Sequence, residues 1–193
     1  TGGRDSYEGA VPVNITVVTS NVHKAREVAD YFRGVAEVRH VALEIPEFRD
    51  NDVGVIARAK AEYAWEALQE PVMVDDTGFF VRALNGFPGP YAAYVLDTIG
   101  MDGILRLLEG KSDCSAYFET AIGYADEEGI VRIFRGRVDG TVVRPRGSGG
   151  FGYDPIFEVE GRTLAELTTG EKGAVSHRGR ALAHLRDYLL SGA

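Results

Sequence analysis

The stretch Pro71-Val72-Met73-Val74-Asp75-Asp76-Thr77-Gly78 decides the fold class, because a short apolar run stops at two carboxylates. The length and β-branched content of that run predict a buried strand rather than a helix. Side chains on a strand alternate, so we expect Asp76 on the face of the two valines and Asp75 on the face of Met73. Adjacent carboxylates are costly to bury without cations. We therefore predict a functional site led by Asp76 at the carboxyl end of a core strand, where open α/β sheets bind ligands. The alternative is that Asp-Asp-Thr-Gly forms a turn.

Composition favours one globular domain and excludes some classes of protein. The chain has 193 residues, 45% of them hydrophobic, which is enough for a sizeable core. Its 21 Lys and Arg against 29 Asp and Glu give a net charge of −8, which argues against a protein that coats nucleic acid. No apolar run has the roughly 20 residues of a membrane span, and the single Cys114 cannot form an intramolecular disulfide. We expect a cytoplasmic domain over residues 13–193 that binds neither nucleic acid nor membrane, after a disordered or extraneous end at residues 1–12.

Strand and helix patterns alternate along the first half of the chain, which predicts an α/β fold. The predicted strands 114–125 and 130–138 are expected to form an antiparallel hairpin. This hairpin could form a separate lobe, which would leave a cleft against the first half of the chain. The predicted strands are 14–19, 35–43, the apolar run that starts at 71 and ends at the two aspartates, 114–125, 130–138 and, as a possible addition, 141–144. The predicted helices are 22–33, 53–69, 91–98, 102–109 and 177–190.

Two cations are expected to point towards the interior from helices, and a third lies beside an apolar helix face. Lys24 lies one turn before Val28 on the apolar stripe of the first helix, near an N-terminus that already favours anions. Arg178 has the same position in the last helix, and Lys60 lies beside the apolar face of the second. The alternative is that the lysines reach solvent and bind nothing. Together with Lys172, these cations and the acids Glu47, Asp75 and Asp76 predict a pocket for a metal-bound polyphosphate.

A glycine-rich loop over residues 145–155 contains two aromatic residues and ends in Asp154-Pro155. Glycines let the backbone approach a ligand, and aromatic rings can stack on a base. Asp154 could accept a hydrogen bond from the edge of a base. The alternative is a flexible turn with two core aromatic residues.

Five motifs also resemble the inosine triphosphatase (Ham1-like) family, and their order and spacing match it from residue 19 to residue 178. The resemblance implies a two-lobed α/β fold, with a central elongated mixed β-sheet, flanking helices and an active-site cleft between the lobes. It implies hydrolysis of ITP, dITP and XTP to the monophosphate and pyrophosphate, dependence on Mg²⁺, and a homodimer. The motifs are Thr19-Ser-Asn-Val-His-Lys24, Val74-Asp-Asp-Thr-Gly78, Gly86-Phe-Pro-Gly-Pro-Tyr91, Phe151-Gly-Tyr-Asp-Pro155 and Glu171-Lys-Gly-Ala-Val-Ser-His-Arg178.

The resemblance also implies a role for each matching residue. Glu47 and Asp76 would be magnesium ligands, and Asp76 would also accept the proton of the attacking water. The implied catalytic residues are Asp76, Asp75, Lys24 and Lys60. The implied substrate contacts are Thr19, Ser20, Asn21, Val22, His23, Lys24, Lys60, Thr77, Phe151, Gly152, Tyr153, Asp154, Lys172, His177 and Arg178.

Two departures from the family pattern occur. Gly173 replaces a common Asn, and Tyr91-Ala-Ala-Tyr-Val95 is closer to the archaeal and eukaryotic branch than to the bacterial one.

A metal-bound carboxylate has a low proton affinity, so we hypothesise that Asp76 mainly orients water and metal while Asp75 shares the proton. Arg178 and His177 would suit the 6-keto group of hypoxanthine or xanthine and mispair with adenine. Two other functions stay open, namely a house-cleaning pyrophosphatase for modified pyrimidine nucleotides, similar to Maf proteins, and a nucleotide-binding protein without catalysis.

Overall fold

The computed structural model describes residues 13–191, so the prediction for residues 1–12 lies outside the described residues. In this part of the chain, six α-helices surround eight β-strands. No helix among residues 13–191 is long and apolar enough to cross a membrane. The strands are β1 Val13–Val18, β2 Ala36–Val41, β3 Val72–Val81, β4 Pro88–Gly89, β5 Ser115–Ala125, β6 Val131–Val142, β7 Phe157–Val159 and β8 Arg162–Thr163. The helices are α1 Val22–Tyr31, α2 Val53–Leu68, α3 Ala92–Thr98, α4 Gly100–Leu107, α5 Thr169–Val175 and α6 His177–Leu190.

The strands form one mixed sheet in the order β2-β1-β3-β5-β6-β7-β8, with β4 paired to β3. The pairs β1–β2 and β1–β3 are parallel, whereas β3–β5 and β5–β6 are antiparallel. This arrangement confirms the predicted α/β class with a central mixed sheet. The β5–β6 hairpin continues this sheet from β3.

Strand β3 is longer than the sequence analysis predicted. It does not end at the two aspartates but continues through Thr77 and Gly78 to Val81. Every residue from Val72 to Val81 pairs with β5. This pairing keeps the Asp-Asp-Thr-Gly segment extended, although its residue types alone favour a turn. The two carboxylates therefore lie in the middle of a strand, and both the placement at a strand end and the alternative of a turn were wrong.

Other bounds differ less. The proposed third strand 141–144 is the end of β6, which runs unbroken to Val142. Strands β4, β7 and β8 and helix α5 were not predicted, because they are short and lack a periodic apolar pattern. Helix α6 has the predicted bounds, and Ser176 caps it by accepting a hydrogen bond from the backbone of Gly179 at 3.0 Å.

The two faces of the first half of the sheet are covered by different helices. Met73 packs with α1 and α6 in a cluster that includes Val28 and Leu182. Val72 and Val74 pack on the other face with Ala61 and Ala64 of α2. A third cluster, around Phe79, Phe118 and Phe157, joins the second half of the sheet to α3 and α4. The alternation of β3 therefore sends successive side chains towards different helices.

Helices α5 and α6 are in close backbone contact. A methyl group on Gly179 would lie 1.7 Å from the carbonyl oxygen of Gly173, so only glycine fits there. The contact holds the start of α6, which carries His177 and Arg178, against α5. By contrast, a methyl group on Gly173 would meet no atom of the described residues within 4 Å.

We expect Gly179→Ala to lower the free energy of unfolding by about 1–3 kcal/mol, because α6 must move away from α5. Gly173→Ala is the matched control, and it should leave stability unchanged or raise it by up to about 1 kcal/mol through helix propensity. Urea unfolding of the two variants measures both. Equal stability of the two would show that the α5–α6 contact is not tight.

Candidate active site

Strand β3 sends its two aspartates to cations on opposite faces of the sheet. Asp75 Oδ1 lies 2.7 Å from Lys24 Nζ of α1, and Asp75 Oδ2 accepts a hydrogen bond from Arg178 Nε of α6 at 2.6 Å. Asp76 Oδ1 accepts a hydrogen bond from Lys60 Nζ of α2 at 2.9 Å. The predicted alternation of the two carboxylates is confirmed, and so is the inward orientation of Lys24 and Arg178. Lys60, which was predicted only to lie beside the apolar face, also points inward.

The two carboxylates differ in their electrostatic surroundings. Burial opposes the ionisation of Asp75, but the charges of Lys24 and Arg178 outweigh it and hold the pKa of that carboxyl well below its usual range. Burial also acts on Asp76, where it outweighs the attraction of Lys60 and raises the pKa above the usual value. Asp75 is thus a firmly ionised structural anion, while Asp76 has the higher proton affinity of the pair.

The loop between β1 and α1 is fixed by its own hydrogen bonds. Asn21 Oδ1 accepts hydrogen bonds from the backbone N–H groups of His23 at 3.0 Å and Lys24 at 3.3 Å, and Thr19 Oγ1 accepts one from Asn21 N at 3.0 Å. Ser20, Val22 and His23 are exposed at this end of α1. This loop, whose residues 19–24 are implied substrate contacts, is therefore a preformed helix start with accessible residues beside Lys24.

Glu27 links two cations of the predicted substrate set, which the sequence analysis missed. Its carboxylate pairs with Lys172 of α5 through one oxygen and with Arg178 of α6 through the other. Lys172 also donates a hydrogen bond to Asp154 Oδ2 at 2.7 Å. The signal was present in the sequence, because Glu27 follows Lys24 by three residues on one side of α1.

The loop after β6 presents one of its two aromatic rings to the site. Phe151 is half-buried and stacks on His23 with ring centroids 5.1 Å apart, and Lys172 Nζ lies 4.5 Å from its centroid. Tyr153 instead packs in the core near Phe79, and its hydroxyl donates to the carbonyl of Ala92 at 2.7 Å. Of the two rings, Phe151 is the one that lies among the side chains of the site, against His23 and Lys172.

One cavity of about 140 Å³ collects most of the residues predicted to bind a base. Phe118, Ala92, Ala93 and Leu96 complete its apolar side. A larger cavity of about 1190 Å³ near the start of β1 and the β5–β6 turn contains none of the predicted residues. The predicted residues that line the smaller cavity are Asn21, Lys24, Thr77, Phe151, Gly152, Tyr153, Asp154, Lys172, His177 and Arg178.

The sequence model of the Ham1 family matches residues 15–188. The chain belongs to the Ham1 family. Its curated relatives include a protein named dITP/XTP pyrophosphatase from Thermococcus kodakarensis, 45% identical over 92% of this chain and 97% of the relative. A protein of the same name from Methanosarcina mazei is 43% identical over 93% of this chain and 98% of the relative. The Ham1 protein of Coxiella burnetii has a similar structure, with a TM-score of 0.81, 32% identity, and coverage of 93% of this chain and 99% of the other.

The acidic residues of this Ham1 protein suit a cation that is shared with a ligand. Asp76 Oδ2 is buried and has no hydrogen-bond partner among the described residues. Glu47 is exposed in the loop before α2. Burial alone would lower the pKa of Lys60, but nearby negative charges raise it above its usual value. Asp76 contributes most to that rise, and Glu47 also contributes. Residues 13–191 contain no group of three or more His, Cys, Asp and Glu that could hold a metal ion alone. Two carboxylates are sufficient for magnesium when phosphates and waters complete its shell.

The two aspartates of this Ham1 protein should differ in their effect on stability. Asp75→Asn breaks a buried pair with Lys24 and Arg178, and we expect it to lower the free energy of unfolding by about 3–5 kcal/mol. Asp76→Asn removes a carboxylate whose ionisation burial already opposes, so its cost should be smaller. Urea unfolding without nucleotide and without metal gives both values. The assignment of Asp75 as the structural anion would be wrong if Asp76→Asn were the more damaging change.

Proposed function

We propose that this Ham1 protein hydrolyses the non-standard purine nucleoside triphosphates ITP, dITP and XTP to the monophosphate and pyrophosphate. The observation that carries the proposal is that Lys60 pairs with Asp76 while Lys24 pairs with the neighbouring Asp75 and also lines a cavity that contains an aromatic ring and further cations. The relatives named dITP/XTP pyrophosphatase, at 43–45% identity, support the same reaction.

The triphosphate would bind where lysines from both faces of the sheet meet the two aspartates. The side chains of Lys24 and Lys60 are each 19% exposed, so both ammonium groups can reach a ligand without leaving their carboxylates. They would neutralise negative charge that develops on the departing pyrophosphate. The exposed start of α1 adds a region of positive potential beside them.

Asp76 would orient the water that attacks the α-phosphorus. A new P–O bond forms from the water oxygen, the bond between the α-phosphorus and the bridging oxygen breaks, and pyrophosphate leaves. Asp76 accepts the proton of the water. In this arrangement Asp75 does not share that proton, because Lys24 and Arg178 keep it ionised.

The proposal includes a magnesium ion held by Asp76 and Glu47 together with the phosphates. When bound, Mg²⁺ would neutralise phosphate charge and supply hard-cation coordination for the reacting oxygens. The unpartnered Asp76 Oδ2 is the oxygen that supports this part of the proposal.

A purine would stack on Phe151 and place its edge towards His177 and Arg178. Arg178 uses three of its five N–H groups on Asp75, Glu27 and Thr77. Asp154 is engaged by Lys172 and by the backbone N–H of Phe151 at 2.9 Å, so its oxygens first hold the loop and the lysine. Its contact with the base, and those of Gly152 and Tyr153, stay predictions.

We also propose that the protein acts as a homodimer in the cytoplasm. Large apolar side chains are exposed around α3, with Tyr94 71%, Ile99 46% and Tyr91 45% exposed. Such a patch is typical of a protein contact surface. Light scattering in solution tests this assembly.

The assay that tests the function is release of pyrophosphate from ITP, dITP, XTP, GTP and ATP, with magnesium and with EDTA. We expect magnesium-dependent release from ITP, dITP and XTP, and a loss of about a hundredfold or more in Asp76→Asn. Modified pyrimidine triphosphates form a further arm. Turnover confined to that arm would point to a Maf-like activity, and nucleotide binding without turnover would point to a binding protein.

A second experiment tests the proposed magnesium ligand outside β3. Glu47→Gln should raise the magnesium concentration for half-maximal activity by about tenfold or more, because the cation loses a charged ligand. Glu44→Gln is the matched control, since Glu44 is an exposed carboxylate of the same loop and contacts no described residue through a hydrogen bond or ion pair. The same shift in both variants would exclude a specific role for Glu47.

A further inference from the structure

A buried hydroxyl in the centre of β5 connects β3 to the start of α6. Thr120 is fully buried and lies directly opposite Thr77 in the β3–β5 ladder. Its Oγ1 lies 2.8 Å from Thr77 Oγ1 and 2.6 Å from His177 Nδ1. Neither sequence motifs nor the proposed mechanism assign a role to Thr120.

The chain of hydroxyl groups has a direction, because a guanidinium group stands at one end. Arg178 Nη2 donates to Thr77 Oγ1 at 3.1 Å, and a guanidinium group can only donate. Thr77 can then donate to Thr120, and Thr120 to His177 Nδ1. If both hydrogen bonds ran the other way, with His177 donating to Thr120 and Thr120 donating to Thr77, the hydroxyl hydrogen of Thr77 would have no acceptor among the residues that the structure describes. A cation at the start also polarises each following bond in the same sense.

The imidazole of His177 is held in one orientation. It stacks on Phe118 with ring centroids 4.7 Å apart and an angle of 17° between the planes. Burial, together with the charges of Arg178 and Lys172, lowers the pKa of His177 well below its usual value, so the ring is neutral at pH 7. A neutral imidazole that accepts at Nδ1 carries its proton on Nε2. Within residues 13–191, Nε2 makes no hydrogen bond, and the ring lines the 140 Å³ cavity beside Phe151.

We infer that Thr120 is a positioning residue, which fixes His177 in the tautomer that presents an Nε2–H donor to the base cavity. A cavity with this donor accepts a purine edge that carries a keto oxygen. The 6-amino group of adenine would place a second donor against Nε2–H and leave both without an acceptor. The inference about substrate rests on the proposed function, whereas the tautomer of His177 does not.

The test uses the full chain and two variants of Thr120. Thr120→Val keeps the shape of the side chain and removes the hydroxyl group, while Thr120→Ser keeps the hydroxyl group. Nitrogen-15 NMR of the histidine side chains at neutral pH reports the tautomer, and His177→Gln identifies the signals of His177. We expect a protonated Nε2 and an unprotonated Nδ1 in the unmodified protein and in Thr120→Ser, and loss of that single tautomer in Thr120→Val.

Kinetics gives the second readout. The ratio of kcat/KM for ITP to that for ATP should fall about tenfold in Thr120→Val and be retained in Thr120→Ser. A proton on Nδ1 in the unmodified protein would overturn the inference, as would an unchanged tautomer and ratio in Thr120→Val. If Thr120→Val fails to fold, two other results test the inference, namely the tautomer of His177 in the unmodified protein and the ITP-to-ATP ratio of kcat/KM in Thr120→Ser. Absence of ITP turnover in the unmodified protein would defeat the proposed function, and NMR would still test the tautomer.

Discussion

Asp75 and Asp76 are neighbours on one strand, so their side chains must leave the sheet on opposite faces. Each buried carboxylate needs a cation, because an unpaired charge in the interior is costly. The pair therefore requires cations from helices on both faces, and Lys24 and Arg178 meet one aspartate while Lys60 meets the other. This constraint makes α1, α2 and α6 converge on the middle of β3. The site exists only where those three helices are in place.

On the α1 and α6 face, the charges form a balanced buried network. Three cations, Lys24, Arg178 and Lys172, alternate with the carboxylates of Asp75, Glu27 and Asp154. Truncating one member leaves its partner buried without a counter-charge, so the network holds the cavity walls at fixed positions. The glycine contact between α5 and α6 places Lys172 and Arg178 close enough to share Glu27. Packing and electrostatics thus position the same residues.

Local sequence patterns correctly predicted the features that depend on interactions between residues close together in the chain. The bounds of α6 and the inward positions of Lys24 and Arg178 follow from helix periodicity. The end of β3 was wrong, because pairing with β5 overrides the turn preference of Asp-Asp-Thr-Gly. The five spaced motifs were sufficient to indicate the family, and the match over residues 15–188 confirms it.

The sequence by itself determined that two carboxylates lie on opposite faces of a core strand, since alternation is a property of the strand backbone. It also placed cations at the first turns of two helices. Only the tertiary structure decided which cation meets which carboxylate, and that Glu27 joins Lys172 to Arg178. Only the structure brought Thr120 against His177, 57 residues away along the chain. These contacts depend on strand order and helix packing, which arise from long-range burial and carry no local signal.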